Sequence, residues 1–151
     1  MATIYIDKKY TNLCRQFCDD RDAKTQEKTF RTYMDLAVFA ALVGFQRERI
    51  KVENNGPEIP DSVFFNNRQE GLVYLFALIE TEDPYILKED RQCWKIFEDY
   101  VNAGMYEIAG WLADNPTDAF GTDTLLNAIA EKATALIDQE LESIDIPPNV
   151  F

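Results

Sequence analysis

The chain has 151 residues, 46% of them hydrophobic and 13% aromatic, enough apolar surface for one core of ordinary size, and this excludes an intrinsically disordered protein. Fifteen Lys/Arg stand against 27 Asp/Glu, a net charge of −12, which excludes a protein that grips nucleic acid with its whole surface. The charge is divided, because residues 1–53 hold ten bases against eight acids and residues 54–151 hold five against nineteen. Any contact with DNA therefore belongs to the N-terminal third.

Thr3-Ile4-Tyr5-Ile6 reads as a short strand of β-branched and aromatic residues, with Asp7 as the N-cap of a helix through Leu13 and Phe17. From Asp19 to Glu27 nearly every residue is charged or polar, the pattern of a surface connection. A second helix is expected from about Lys28 to Val43, polar on one side early and then apolar all round, hence central to the domain. Gly44 is placed to close it in the left-handed conformation, with Phe45 folding back, and Gln46 to Val52 forms a basic exit.

Asn54-Asn55-Gly56-Pro57 is a turn signal at the border between the two charge regimes, and Pro60 to Phe65 is expected to be extended or turn-like. Asn67 and Glu70 have capping-box spacing before an apolar helix over Leu72 to Ile79. Asp83-Pro84 restarts a helix. Trp94, Phe97, Val101, Met105, Ile108 and Leu112 then mark a long amphipathic helix, with Gly104 as the point where it would bend and acids on its other face. After a loop at Asn115-Pro116 and Gly121, Leu125, Ile129, Leu136, Ile137 and Leu141 mark a last amphipathic helix ending before Pro147-Pro148.

The fold class expected is mainly α: one domain over residues 1–146, of five to seven helices with one or two short N-terminal or peripheral strands, and a loose tail over 147–151. Residues 1–53 form its near-neutral to basic strand-helix-helix part and 54–146 its acidic helical part. No apolar run approaches the ~20 residues that span a bilayer, and Met1 to Lys9 lacks the charged start and apolar stretch of a signal peptide, so a cytoplasmic protein is expected. Cys14, Cys18 and Cys93 are read as free thiols.

With no histidine, Ser-His-Asp and Cys-His catalysis, zincins and zinc deaminases are all excluded. Three cysteines cannot complete a closed zinc site. The acid clusters Glu80-Thr81-Glu82-Asp83 and Glu98-Asp99 are of the type that holds Mg²⁺, but solvated helix faces and caps explain them equally well. No phosphate loop or dinucleotide fingerprint is present, and Pro60-Asp61 is not followed by the strand-borne acid-x-Lys of a nuclease core. No catalytic residue, metal or cofactor is assigned.

Lys8, Lys9, Arg15, Arg47, Arg49 and Lys51 make up the one basic patch, a candidate contact for DNA or a partner. The strand-helix-helix order is that of a ribbon–helix–helix unit. The alternate strand residues Thr3, Tyr5 and Asp7 include an acid and no base, however, and Asp19, Asp20 and Asp22 dilute the patch.

IYIDKKY, MDLAVFAALVGF with the basic stretch after it, EIPDSVF, LVYLFALIETEDPYIL and IFEDYVNAGMYEIAGWL occur in an order that resembles the dnd system-associated protein 4 family. These are small bacterial proteins encoded beside DNA phosphorothioation systems, and the resemblance covers most of residues 3–113. It implies an intracellular accessory to a modification and restriction system that replaces a phosphate oxygen by sulfur and aids defence against phage. It carries no site residues across. The function expected is that of a non-enzymatic accessory or adaptor working through other proteins of such a system, without a membrane, self-association being left open. The alternative is a DNA-binding regulator of the same locus using the basic patch.

Overall fold

Ile4 and Ile6 are fully buried while Thr3 and Tyr5 are half-buried, the alternation of a strand with one face on a core. This strand, β1 (Thr3–Asp7), is followed by a 3₁₀ turn over Lys8–Tyr10 that Asp7 caps, its Oδ1 accepting the Lys9 N–H. Helices α1 (Thr11–Cys18) and α2 (Tyr33–Gly44) come next. The computed structural model describes residues 1–45 and 47–144; Gln46 of the basic exit and the tail expected over 147–151 lie outside the described residues.

Strand β2 (Asn55–Pro60) lies antiparallel to β1, pairing Ile59 with Ile4 and Glu58 with Tyr5. Here the structure corrects the turn expected at Asn54–Pro57. Between Tyr5–Glu58 and Asp7–Asn55, Ile6 stands opposite two residues, Gly56 and Pro57, and this bulge accommodates a proline that a regular ladder would reject. The stretch expected to be extended or turn-like is helix α3 (Asp61–Asn66).

Helix α4 (Glu70–Thr81) has no side-chain cap, because Asn67, expected to supply one, donates to the Val63 carbonyl and finishes α3 instead. Asp83 and Pro84 do restart the chain, but as a 3₁₀ turn over Pro84–Lys88 in which Asp83 accepts the Tyr85 N–H. Helix α5 (Asp90–Ala113) then runs unbroken for 24 residues, and α6 (Thr122–Ser143) follows from Gly121, whose φ of 75° is left-handed. Six α-helices and one two-stranded sheet among the described residues give a mainly α fold.

Helix α5, rather than α2, is the centre: α2, α4, β1 and α6 all pack on it. Leu42 on α2 is exposed, and Val38, Phe39 and Val43 are half-buried, so one side of α2 faces out. The start of α2 also differs from the expectation. Phe30 gives its N–H to the Phe17 carbonyl and stacks edge-on against the Phe17 ring, so the chain cannot be helical there. Thr32 is the cap, accepting the Asp35 N–H and donating its hydroxyl to the Asp35 carboxylate.

Gly44 is the last helical residue of α2 and does not have positive φ, so its expected role as a left-handed cap is corrected. It serves close approach instead. A Cβ on Gly44 would run into the Tyr100 carbonyl and the Gly104 nitrogen, and one on Gly104 would run into the Ala40 carbonyl. With Ala37, Ala40 and Ala41 buried beside them, the small residues let two backbones touch where larger side chains would hold the axes apart. Phe45, just beyond, packs on Phe76 and Tyr100.

Gly104→Ala is therefore expected to cost about 3 kcal/mol or more, at the upper end of overpacking costs because backbone must move. Gly110→Ala, in the same helix with nothing near its Cβ position, should be neutral or stabilise by up to about 1 kcal/mol. Chemical denaturation of the two variants compares them directly, and equal midpoints would contradict the close crossing.

Candidate functional site

The polar residues at the middle of α5 do not face solvent as an amphipathic reading expects, since Glu98, Asp99 and Asn102 are all buried. β1 offers its Ile4 and Ile6 backbone to β2, which leaves the opposite edge at Tyr5 and Asp7 without a strand. Helix α5 supplies the missing partners from side chains one turn apart. Glu98 Oε2 accepts the Tyr5 N–H at 2.8 Å, Asn102 Oδ1 accepts the Asp7 N–H at 2.8 Å, and Asn102 Nδ2 donates to the Tyr5 carbonyl at 3.0 Å. Lys95 holds Glu98 in place through a 2.7 Å bond to Oε1.

The other buried carboxylates are used in the same way. Asp7 accepts the backbone N–H groups of Glu53 and Lys9; its burial would raise its pKa, but the donors at Glu53, Lys9 and Asn54 outweigh this and hold it below the usual carboxylate value. Asp61 accepts the Ala2 N–H and gives its own N–H to the Ala2 carbonyl. Asp99 differs. Its backbone carbonyl takes the Ile50 N–H, but Oδ1 lies 3.5 Å from the Lys95 ammonium and makes no hydrogen bond. Burial pushes its carboxyl above the ordinary value, with Lys95 and Arg49 opposing the shift without cancelling it.

These contacts fix where the six basic candidates sit. The segment 47–54 is tied to α5 at Ile50, to Asp7 at Glu53 and to the Lys8 N–H through the Asn54 carbonyl. Lys8 and Lys51 are thereby carried on neighbouring stretches of chain, with Lys9 beside them, its ammonium 5.4 Å from the centre of the Tyr10 ring. Arg47 and Arg49 are drawn off, pairing with Glu107 at 3.3 Å and Glu80 at 3.4 Å. Glu80 also accepts the Tyr100 hydroxyl, whose pKa is pushed up to about 12, by burial first and then by Glu80. Arg15 stands apart on the exposed side of α1. The structure therefore places Lys8, Lys9 and Lys51 on two segments joined at Asp7–Glu53 and Lys8–Asn54, and sets Arg47 and Arg49 apart as ion-paired.

A ribbon–helix–helix arrangement requires β1 to pair with a second copy, and that edge is closed by Glu98 and Asn102. Among the described residues no group of three acids or cysteines could hold a metal ion. Cys14, Cys18 and Cys93 are free and buried, and burial foremost pushes Cys14 and Cys18 up to about 12. An open cleft of about 630 Å³ lies between the 3₁₀ turn and the end of α5, lined by Lys9, Tyr10, Tyr106, Glu107 and Trp111 among others. Sequence reasoning missed Glu98 and Asn102 because their signal, a polar pair one turn apart inside an apolar run, was read as the wet face of the helix.

A small helical domain in which a central helix completes a two-stranded sheet with its own side chains is the class that fold and site define. The chain belongs to the DNA sulphur modification system-associated protein 4 family, whose model matches residues 4–146, and is thus associated with a DNA sulphur modification system. No curated protein and no solved structure matches it. No helix among the described residues is long and apolar enough to cross a membrane.

Asn102→Leu should destabilise the protein by about 2–5 kcal/mol, because it strands a buried N–H and a buried carbonyl of β1 together. Thermal melts check this. For Asp99 the folded state holds the proton more tightly than the unfolded chain does, so its contribution to stability falls as pH rises above 3.8. Asp99→Asn is accordingly expected to gain stability relative to the wild type as pH is raised through that value, read from denaturation midpoints across a pH series.

Proposed function

We propose that the protein is a non-enzymatic adaptor of a bacterial DNA phosphorothioation system, acting in the cytoplasm through contacts with the system's other proteins and so contributing to anti-phage defence. The observation that carries this reading is that the two arginines at the heart of the basic patch, Arg47 and Arg49, are already engaged by the chain's own Glu107 and Glu80. A chain of net charge −12 with these two arginines so occupied is repelled by phosphate, and it is attracted and oriented by a basic protein surface. The buried carboxylates support the same reading, since Asp7, Asp61 and Glu98 are occupied in holding backbone.

Lys8, Lys9 and Lys51, exposed and carried on two joined segments of chain, favour the second reading, a DNA-binding regulator, in a reduced form with three cations instead of six. The affinity of such a patch would vary with salt concentration with a slope near the number of phosphates engaged. The test is a salt titration on matched duplexes with and without phosphorothioate, beside co-purification of the protein with the co-expressed proteins of its own modification system. The adaptor reading expects co-purification and no measurable duplex affinity near physiological salt. A clear salt slope lost in a Lys8→Glu/Lys9→Glu/Lys51→Glu variant, with no co-purification, would replace it by the regulator.

A further inference from the structure

Helix α6 is anchored only at its start. Asp118 accepts the Thr124 N–H and hydroxyl, Thr124 and Leu125 are buried, and Lys132 lies over the Trp111 ring. From Ile129 to Ser143 every residue is exposed, and past Lys132 about 16 Å of helix at 1.5 Å per residue stands away from the body. At 100° per residue, Leu126, Ile129, Leu136, Ile137 and Leu141 fall within a sector of about 140°. These five are 45 to 61% exposed. The centre of that sector lies opposite the buried Thr124, with Lys132 beside its margin, and the exposure of the five residues shows that no part of the described chain covers them.

The charges around this stripe identify the kind of surface that covers it. Helix α6 carries Asp123, Glu131, Asp138, Glu140 and Glu142 against the single base Lys132, and Glu140 lies within the apolar sector itself. On the same wheel Asp123 and Asp138 border the sector while Glu131 and Glu142 fall behind it on the side of Thr124, so a second copy laid on the stripe would bring Asp123, Asp138 and Glu140 toward the same three acids. A groove with an apolar floor and a lysine- or arginine-rich rim satisfies both the stripe and its flanks, the geometry of an amphipathic helix in a groove. Resting on the adaptor reading above, we infer that the exposed face of α6 is the docking helix of this protein, and that its partner is a protein presenting an apolar groove with a basic rim.

The test uses the full-length chain and two synthetic amphipathic helical peptides, each with leucines on one face, flanked by lysines in one and by glutamates in its twin. The wild type is expected to bind the lysine peptide with an affinity that falls as salt is raised, and to ignore the twin. Leu136→Gln/Ile137→Gln should lose about tenfold or more of that affinity with an unchanged circular dichroism spectrum. Asp138→Lys/Glu140→Lys, which keeps the five apolar residues, should shift preference toward the glutamate peptide. Equal binding of both peptides, retention by Leu136→Gln/Ile137→Gln, or a concentration-dependent dimer dispersed by that variant would overturn the inference, the last by making a second copy the cover. If the co-expressed proteins of the system are captured equally by wild type and Leu136→Gln/Ile137→Gln, the adaptor reading stands and the α6 surface falls. If the wild type captures none of them, the adaptor reading itself fails.

Discussion

The strap between α5 and β1 is the contact on which the rest of this structure depends. A two-stranded sheet alone is marginal in water, and one edge of β1 would leave the buried Asp7 N–H and the partly buried Tyr5 N–H and carbonyl unpaired. Glu98 and Asn102 take the place of a third strand. Because they sit one turn apart on a rigid helix, they also fix the position of β1 along α5. From that follow the burial of Ile4, Ile6 and Ile59, the path of the segment 47–54 over Asp7, and the placement of every basic side chain that segment carries.

The electrostatics have two layers, and burial divides them. Glu98 and Asp99 are buried, and the half-exposed Lys95 bridges to Glu98 and approaches Asp99, so the strap holds its own counter-ion at the surface, while Arg49 adds a second positive charge near Asp99. Outside, the Arg47–Glu107 and Arg49–Glu80 pairs are partly exposed, and such pairs add little to stability. Their consequence is one of availability, since a guanidinium that already has a carboxylate offers less to a phosphate. The acidic surplus of residues 54–151 is thus left to dominate the exterior.

What the sequence made legible was the local chemistry. Asp7 and Asp83 cap as their side chains require, Pro84 opens its turn, and the spacing from Trp94 to Leu112 describes one helix face correctly. What it hid was tertiary. β2 looked like a turn because Asn, Gly and Pro are turn residues wherever a neighbouring strand is not known to be waiting for them. Gly44 looked like a cap because nothing local reveals a second glycine sixty residues away at the same crossing. Glu98 and Asn102 looked solvated because a polar residue in a helix is usually wet, and only the unpaired edge of β1 makes them internal. Of the site, the six basic residues could be named from the sequence, but the pairing of Arg47 and Arg49 with Glu107 and Glu80 could not.

The three cysteines bear on the chemistry of the system to which the family is tied. Persulfide formation, glutathionylation and peroxide attack all require a thiolate that reagent can reach. Cys14 and Cys18 lie in the interior with pKa values near 12, and the Cys93 thiol is also raised, by burial first, while its Sγ donates to the Ile86 carbonyl. At these three positions the folded chain accordingly offers no readily reached thiolate to accept sulfur.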